Sequence, residues 1–194
     1  MKIQDQSNSA LKNLIATGHL PFKSLESLSN IALSQNLIDA AYVKKVSYYR
    51  DQVTYSPKVF IPLTFLFLDV CHYCTFAQTP KKVKSPYLSI EEVISLAKDG
   101  EAHGCHEALF TLGDKPELRY KAAREALEFM GYSSTNEYLG ACAKAVLENT
   151  SLIPHLNSGC LTIDEIASLK NVSGSMGLMV ESLSQKLTEK GQPH

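Results

Sequence analysis

The sequence predicts an α/β fold in which strands and helices alternate around a parallel sheet or barrel. From residue 58 onward, short β-branched or apolar runs alternate four times with segments of helical periodicity. Several predicted helices begin with Ser or Thr followed three residues later by Glu, which is the pattern of a capping box. Strands that alternate with helices are typical of parallel sheets, whose active sites lie at the carboxyl ends of the strands.

Residues 1–57 are predicted to form a helical extension packed on this domain. Apolar residues recur at helical spacing between residues 11 and 15 and between residues 25 and 33. A third helix is predicted from about Ile38 to Tyr49. We therefore divide the chain into this extension and a domain that covers residues 58–194.

The first half of the domain contains two predicted strands with a helix between them. Val59–Ile61 is a β-branched and aromatic run that indicates a buried strand. The capping box Ser89–Glu92 starts the helix, and Gly104 is predicted to end it. Ala108–Leu112 is the second buried strand.

Two more strands and several helices are predicted in the second half. One helix runs from Pro116, which helices tolerate in the first turn, to Gly131. Further capping boxes start at Ser134 and Thr162, and Ser182 is predicted to cap the last helix. The third and fourth strands are predicted at Leu152–Leu156 and Ser175–Val180. The groups placed at the strand ends are Asp69–Cys74, Gly113–Asp114, Asn157–Gly159 and Glu181.

Composition and charge argue against several classes of protein. The 194 residues are 44% hydrophobic and 20% charged, which is ordinary for a globular domain and argues against disorder. The net charge of -1 gives no support for a nucleic-acid binder. The longest apolar stretch, Val59–Val70, is well short of the ~20 residues that span a bilayer. We expect a cytoplasmic protein with no nucleic-acid and no membrane partner.

Two of the five cysteines stand at metal-binding or redox spacing. Their odd number and the lack of a secretory signal give no support for a disulfide framework. Cys71 and Cys74 form a C-x-x-C pair in a loop after a strand, and such a pair can hold a metal or a cluster or can act as a redox couple. Cys105, Cys142 and Cys160 do not supply the second pair of a zinc ribbon and are predicted to be core or half-buried residues.

Several ordered segments carry a resemblance to a known family. They are Val59–Thr64, Asp69–Phe76, Glu107–Glu117, Pro154–Asn157 and Ser175–Ser182. Together they resemble the radical S-adenosylmethionine (SAM) enzymes, and more specifically the 7,8-didemethyl-8-hydroxy-5-deazariboflavin synthases. The resemblance covers roughly Tyr55 to His194.

The resemblance implies a fold, two cofactors and a reaction. The family barrel has about six strands, so the four predicted here correspond to a partial (β/α) radical SAM TIM-like barrel with an N-terminal helical extension. Three cysteines of a C-x-x-x-C-x-x-C loop hold a [4Fe-4S] cluster, and the cofactor SAM yields a 5′-deoxyadenosyl radical. The substrate is a tyrosine-derived adduct of a ribityl-uracil, which is cyclised with loss of ammonia. A partner radical SAM subunit or domain supplies the adduct, and an electron donor is needed.

The resemblance also implies roles for individual residues. Cys71 and Cys74 match the second and third cluster ligands, and Tyr73 matches the aromatic residue near the adenine. Gly113 and Asp114 match the strand-end segment that contacts the methionine amino group. Glu181 is a further candidate for a cofactor or substrate contact. Packing alone for Tyr73, and a simple turn before a helix for Gly113 and Asp114, are alternatives that the sequence leaves open.

The sequence departs from the family in two ways. Phe67 stands four residues before Cys71, where the family has the first cluster cysteine, and phenylalanine has no ligand atom. Asp69 and His72 are not at that position, and Cys105 could serve only if the fold brought it close. The second departure is the count of strands, from which we expect a fragment, a truncated product or a decayed copy. An active radical SAM lyase, an inactive relative without a cluster and a simple C-x-x-C metal or redox module therefore remain as hypotheses.

Overall fold

The computed structural model describes residues 9, 12–13, 16–17, 35–69, 74–180, 182–189 and 191–192. The chain divides into two compact units, residues 1–55 and 56–194. In the first unit, helix α1 spans Gln35–Tyr49, which agrees with the helix predicted from about Ile38. Of the two earlier predicted helices, residues 12–13 and 16–17 are helical, and the segment around 25–33 lies outside the described residues.

The second unit contains a sheet of four parallel strands. They lie side by side in the order in which they occur along the chain, so each connection returns to the adjacent position. Helices and turns of the connections cover one face of the sheet. The strands are β1 Lys58–Ile61, β2 Glu107–Thr111, β3 Ile153–Asn157 and β4 Ser175–Met176.

Four α-helices and three short 3-10 turns connect or follow the strands. The helices are α2 Ile90–Ala102, α3 Lys121–Met130, α4 Thr135–Asn149 and α5 Ile163–Leu169. The 3-10 turns are Pro116–Leu118, Lys170–Val172 and Gln185–Thr188. In the described part of the chain, no helix is long and apolar enough to cross a membrane. The four strands leave the sheet open, and the described residues form no closed barrel.

The two faces of the sheet differ in burial. Ala108 and Phe110 of β2 and Leu156 of β3 have no exposed surface and pack in the core with the helices. Successive side chains of a strand point to opposite faces. The other face therefore carries alternate residues such as Phe60, which is 39% exposed. In a complete barrel this second face would line the interior.

Two of the predicted capping boxes are confirmed in full. Both hydrogen bonds of the capping box form at Ser89 and at Thr162. In each, the cap hydroxyl accepts from the backbone N–H of the Glu three residues later, and the carboxylate of that Glu accepts from the backbone N–H of the cap residue. Only one of the two hydrogen bonds predicted for the capping box at Ser134 forms. Its hydroxyl accepts from Glu137 N, but the Glu137 carboxylate is bound to the N–H and hydroxyl of Ser133 instead.

The predicted continuous helix from Pro116 to Gly131 is also wrong. It consists of one 3-10 turn and helix α3, separated by an extended Tyr120. The cause is tertiary, because the Glu117 carboxylate turns inward and accepts from both the N–H and the hydroxyl of Thr135. Gly131 ends α3 with φ of 84°, as predicted.

The last two predicted elements are shorter than expected. Strand β4 ends at Met176, because after Gly177 N donates to Leu156 O the chain leaves the edge of β3. Residues 178–180 are more than half exposed. Ser182 does not cap a helix, since its hydroxyl accepts from Ser184 N and only a 3-10 turn follows.

Candidate functional site

A cavity of about 500 Å³ opens at the carboxyl ends of the strands. Its walls come from the loop after β1 and from the ends of β2, β3 and β4, which is where the fold class predicts an active site. The volume is within the range of pockets for small ligands. The lining residues are Phe60, Pro62, Thr64, Phe65, Phe67, Asp69, Cys74, Phe76, Leu109, Thr111, Leu112, Asp114, Asn157, Gly159, Leu178 and Met179.

The loop after β1 is held in place by its own backbone and by one buried hydroxyl. Thr64 is 2% exposed, and its Oγ1 donates to Pro86 O at 2.7 Å while accepting from Leu66 N at 3.1 Å. Further along, Gln78 N donates to Phe65 O at 2.8 Å. The loop is therefore anchored on both sides of the segment that carries Phe67.

This loop lies directly against the end of β2. Leu68 N donates to Asp114 O at 3.0 Å. Arg119 Nη1 donates to the carbonyl oxygens of Leu68 and Asp69, both at 3.1 Å. A Cβ on Gly113 would lie 2.0 Å from the carbonyl oxygen of Leu66, so only glycine permits this approach. Gly113 thus has a packing role that the structure establishes independently of any ligand.

Asp114 is a half-buried acidic residue of the cavity wall. Its Oδ1 is buried and has no hydrogen-bond partner among the described residues. Burial raises the pKa of the Asp114 carboxyl, and the nearby Asp69 carboxylate adds to the rise. The backbone N–H of Cys160 has the opposite and smaller effect. Gly159, with φ of +81°, lies so close that a Cβ there would be 2.7 Å from Asp114 Cβ.

The turn after Asp114 is held by charged and polar groups. Lys115 is in the left-handed region with φ of 34°, and its Nζ donates to Glu165 Oε2 at 3.0 Å. Asn136 Nδ2 donates to the other Glu165 oxygen at 2.8 Å. The hydrogen bond from the N–H of Thr162 and, to a smaller extent, those from the Lys115 and Asn136 side chains lower the pKa of Glu165 to about 2. Helix α5 is therefore tied to the turn that positions Asp114.

Most of the cavity wall is aromatic or aliphatic. Four phenylalanines contribute to it, and the rings of Phe60 and Phe76 are 5.4 Å apart at an angle of 41°. Phe67 and Cys74 are both half-buried and line the same cavity. Phe60 and Phe76 were not among the residues predicted to contact a cofactor. For Phe60 the alternation of β1 carried the signal, since it faces away from the helices.

The predicted site residues are only partly within the described structure. Cys74 and Asp114 line the cavity, and Gly113 supports its wall. Their roles toward a cofactor remain predictions. Three of the predicted residues lie outside the described part of the chain, namely Cys71, Tyr73 and Glu181.

The other cysteines do not complete a cluster site. Cys105 precedes β2 at the opposite end of the sheet from Cys74, where its N–H donates to Gly100 O. Cys142 is buried in α4, and burial raises the pKa of its thiol to about 12. Cys160 is exposed. Within the described ranges, no three His, Cys, Asp or Glu residues are grouped as a metal site.

His155 belongs to a polar layer on the open face of the sheet, outside the residues that line the cavity. Its Nδ1 lies 2.6 Å from Ser175 Oγ and 3.8 Å from Glu107 Oε2. Glu107 also binds Lys58 and accepts from Ser56 Oγ at 2.5 Å. The hydrogen bond from the Lys58 ammonium and, to a smaller extent, the one from the Ser56 hydroxyl lower the pKa of Glu107. These contacts give His155 a structural role.

Comparison with curated proteins finds close relatives of most of this chain. It is 52% identical over 147 residues to "FO synthase" of Nocardia farcinica, which corresponds to 73% of this chain and 17% of that protein. It is 48% identical over 142 residues to "7,8-didemethyl-8-hydroxy-5-deazariboflavin synthase" of Methanopyrus kandleri, 73% of this chain and 42% of that protein. The chain therefore spans less than half the length of these relatives. No family model matches the sequence.

Solved structures of low sequence identity share the fold. Methylornithine synthase (PylB) is 16% identical, with a TM-score of 0.63 over 92% of this chain and 49% of that one. The [FeFe]-hydrogenase maturase HydG is 17% identical, with a TM-score of 0.69 over 98% of this chain and 40% of that one. At these identities the likeness shows the fold alone. It confirms the prediction of a partial radical SAM barrel.

Proposed function

This chain is homologous over 73% of its length to FO synthases and to a 7,8-didemethyl-8-hydroxy-5-deazariboflavin synthase, and on that basis we propose that it is a radical SAM enzyme of deazaflavin coenzyme biosynthesis. The reaction is the cyclisation of 5-amino-5-(4-hydroxybenzyl)-6-(ribitylimino)uracil to 7,8-didemethyl-8-hydroxy-5-deazariboflavin with loss of ammonia. The protein is then a carbon–nitrogen lyase.

The cavity at the strand ends is the observation that carries this proposal. It places Cys74 of the C-x-x-C pair and Asp114 of the strand-end motif on the walls of one pocket. When bound, SAM supplies the 5′-deoxyadenosyl radical of the family reaction. The apolar walls suit a flat heterocycle and limit access of water, which protects a reactive intermediate from side reactions. The proposed partners are the small-molecule adduct, a partner radical SAM subunit or domain that makes it, and an electron donor.

The residues present fit SAM. Asp114 on the cavity wall provides a carboxylate for its amino group, and the phenylalanine rings provide walls for its adenine. Arg119 and Gly113 would act indirectly by holding the loop against β2.

The residues do not fit a cluster held by three thiolates. Phe67 occupies the position of the family's first cysteine and has no ligand atom. Cys105 is at the other end of the sheet. Asp69 lies on the cavity wall, but the described residues contain no group of three His, Cys, Asp or Glu side chains that could hold a metal. The described residues therefore do not support a cluster held in the family's way. A relative that has lost the cluster is the second candidate function, and Phe67 is the observation that favours it.

Anaerobic reconstitution with iron and sulfide separates the two candidates. The wild-type chain, Phe67→Cys and the matched control Phe65→Cys are reconstituted together, and iron and sulfide are counted in each. About four irons in the wild type, with cleavage of SAM after reduction, support the enzyme. About four irons in Phe67→Cys only, with no gain in Phe65→Cys, identify a disabled copy. No iron in any of the three contradicts a cluster enzyme altogether.

A further inference from the structure

We propose that the chain forms a symmetric dimer through the free edge of its sheet, where residues 175–180 of two copies pair as antiparallel strands. These residues, which begin with β4, are called the edge segment below. Its unpaired backbone and the exposed apolar side chains of the last β/α unit carry the inference. The inference concerns the outer edge of β4 and does not rest on the proposed function.

The edge segment has the composition of a strand but forms a strand only at its start. Its sequence predicts a strand over all six positions, whereas β4 contains only the first two. Gly177 N still donates to Leu156 O of β3 at 2.9 Å. Beyond it, residues 178–180 take part in no backbone hydrogen bond with the described part of the chain. Their N–H and C=O groups are therefore available to another strand, as are those on the outer side of β4.

The last β/α unit and the residues after it carry many exposed apolar side chains. Helix α5, which connects β3 to β4, buries only Leu169 of its seven residues. Six apolar residues of this region are 44–91% exposed, namely Ile163, Ile166, Leu178, Met179, Val180 and Leu183. Single exposed apolar residues are common on monomers, whereas a concentration of this size marks an interaction surface. These six residues are called the apolar patch below.

The area of the apolar patch matches what a dimer needs. At roughly 120 Å² for a whole aliphatic side chain, the six residues expose on the order of 500 Å² of apolar surface. A stable interface buries about 800 Å² from each partner, and in homodimers about two thirds of that area is apolar. One copy of the patch therefore supplies the apolar area that one side of a dimer interface requires.

The composition of the edge segment favours a second copy of this chain as the occupant. Natural edge strands avoid pairing with their own kind by carrying charged residues, above all lysine, or proline. Residues 175–180 contain neither a charged residue nor a proline. Two copies of the segment therefore meet without repulsion. Pairing about a two-fold axis brings the same surface of each copy together, which is the commonest way in which identical subunits associate.

Antiparallel pairing of the edge segments also accounts for the exposed side of α5. A two-fold axis through Leu178 pairs residues 176–180 of the two copies and places the two Leu178 side chains opposite each other, with their Cβ atoms about 5 Å apart. The axis is perpendicular to the sheet, so the helices of both copies lie on the same face of the joined sheet of eight strands. The two α5 helices then become neighbours, which covers Ile163 and Ile166.

Analytical ultracentrifugation of the full chain and of charged variants at Leu178 tests the proposal. The wild type should sediment with twice the chain mass of 21.4 kDa. Leu178→Lys and Leu178→Glu should each weaken dimerisation by at least about tenfold, because like charges then face each other across the axis. An equimolar mixture of the two variants should restore the dimer, which excludes misfolding as the cause. Phe129→Lys and Phe129→Glu are the controls and should remain dimeric, since Phe129 is 93% exposed on α3 and outside the patch.

Hydrogen exchange distinguishes this interface from a dimer formed elsewhere on the molecule. Exchange at the amides of residues 178–180 should slow as the fraction of dimer rises with concentration, because those amides gain partners in the joined sheet. A wild type that is monomeric at every concentration would overturn the proposal. So would a dimer that persists in both Leu178 variants, a mixture of the variants that stays monomeric, or a dimer in which these amides exchange as fast as in the monomer.

Discussion

Gly113 at the end of β2 is in direct contact with the carbonyl oxygen of Leu66, and a Cβ on Gly113 would lie 2.0 Å from that oxygen. The neighbouring Asp114 O accepts from Leu68 N. The backbone of the loop that carries Phe67 therefore rests on the backbone of the strand end. The position of the aromatic wall depends on the absence of one methyl group.

Gly113→Ala should displace this loop and destabilise the protein by about 1–3 kcal/mol, the usual cost of overpacking. Urea unfolding measures the loss. Gly140→Ala is the matched control, because its Cβ would meet only the flexible Leu169 side chain at 3.3 Å. A loss for Gly113→Ala no larger than that of the control would contradict the close contact.

Arg119→Met should loosen the loop without unfolding the domain. It removes the donor to the carbonyl oxygens of Leu68 and Asp69 while keeping an apolar stem of similar length. Hydrogen exchange should accelerate at the Leu68 amide, which donates to Asp114 O. Lys144→Met, on the exposed side of α4, should leave that exchange rate unchanged. Equal protection in Arg119→Met and wild type would show that Arg119 does not hold the loop.

Glu165→Gln should lower stability by about 1 kcal/mol at neutral pH, because the Lys115 ammonium and two other donors share this carboxylate. The folded-state pKa of Glu165 is lowered from 4.5 to about 2. Its ionised form therefore stabilises the fold above pH 4.5, and this contribution is lost as the pH falls toward 2. The difference in unfolding free energy between wild type and variant, measured from pH 2 to 7, should shrink over that window. A constant difference would contradict the shifted pKa.

Asp114→Asn should have the opposite effect on stability. Burial raises the folded-state pKa of Asp114 above its usual 3.8, so the ionised carboxylate costs free energy in the folded protein. The variant should melt a few degrees higher at pH 7, and its advantage should disappear as the pH falls below 3.8. Thermal melts at several pH values measure this. A variant that melts lower than wild type at neutral pH would show that the bond from Cys160 outweighs the burial.

The elements that the sequence predicted well are those set by local chemistry. The caps at Ser89 and Thr162 depend on residues three positions apart, and Gly131 ends α3 by its own backbone freedom. Tertiary contacts set the others. The break near Tyr120 follows from Glu117 binding Thr135, a contact that no local pattern shows.

The site divides in the same way. The strand-end position of Asp114 followed from the alternation of elements, but its unpartnered oxygen depends on the packing of three loops. Arg119 was not predicted at the site. The two carbonyl groups that it binds, those of Leu68 and Asp69, precede it in the sequence by 51 and 50 positions.

The Glu165 carboxylate also has a dynamic consequence. Its two oxygens accept three hydrogen bonds: from Thr162 at the start of α5, from Lys115 in the turn after β2, and from Asn136 at the start of α4. Fraying of α5 therefore releases the other two attachments in the same event. Opening fluctuations of that helix and of the cavity rim should be one correlated motion with a single rate.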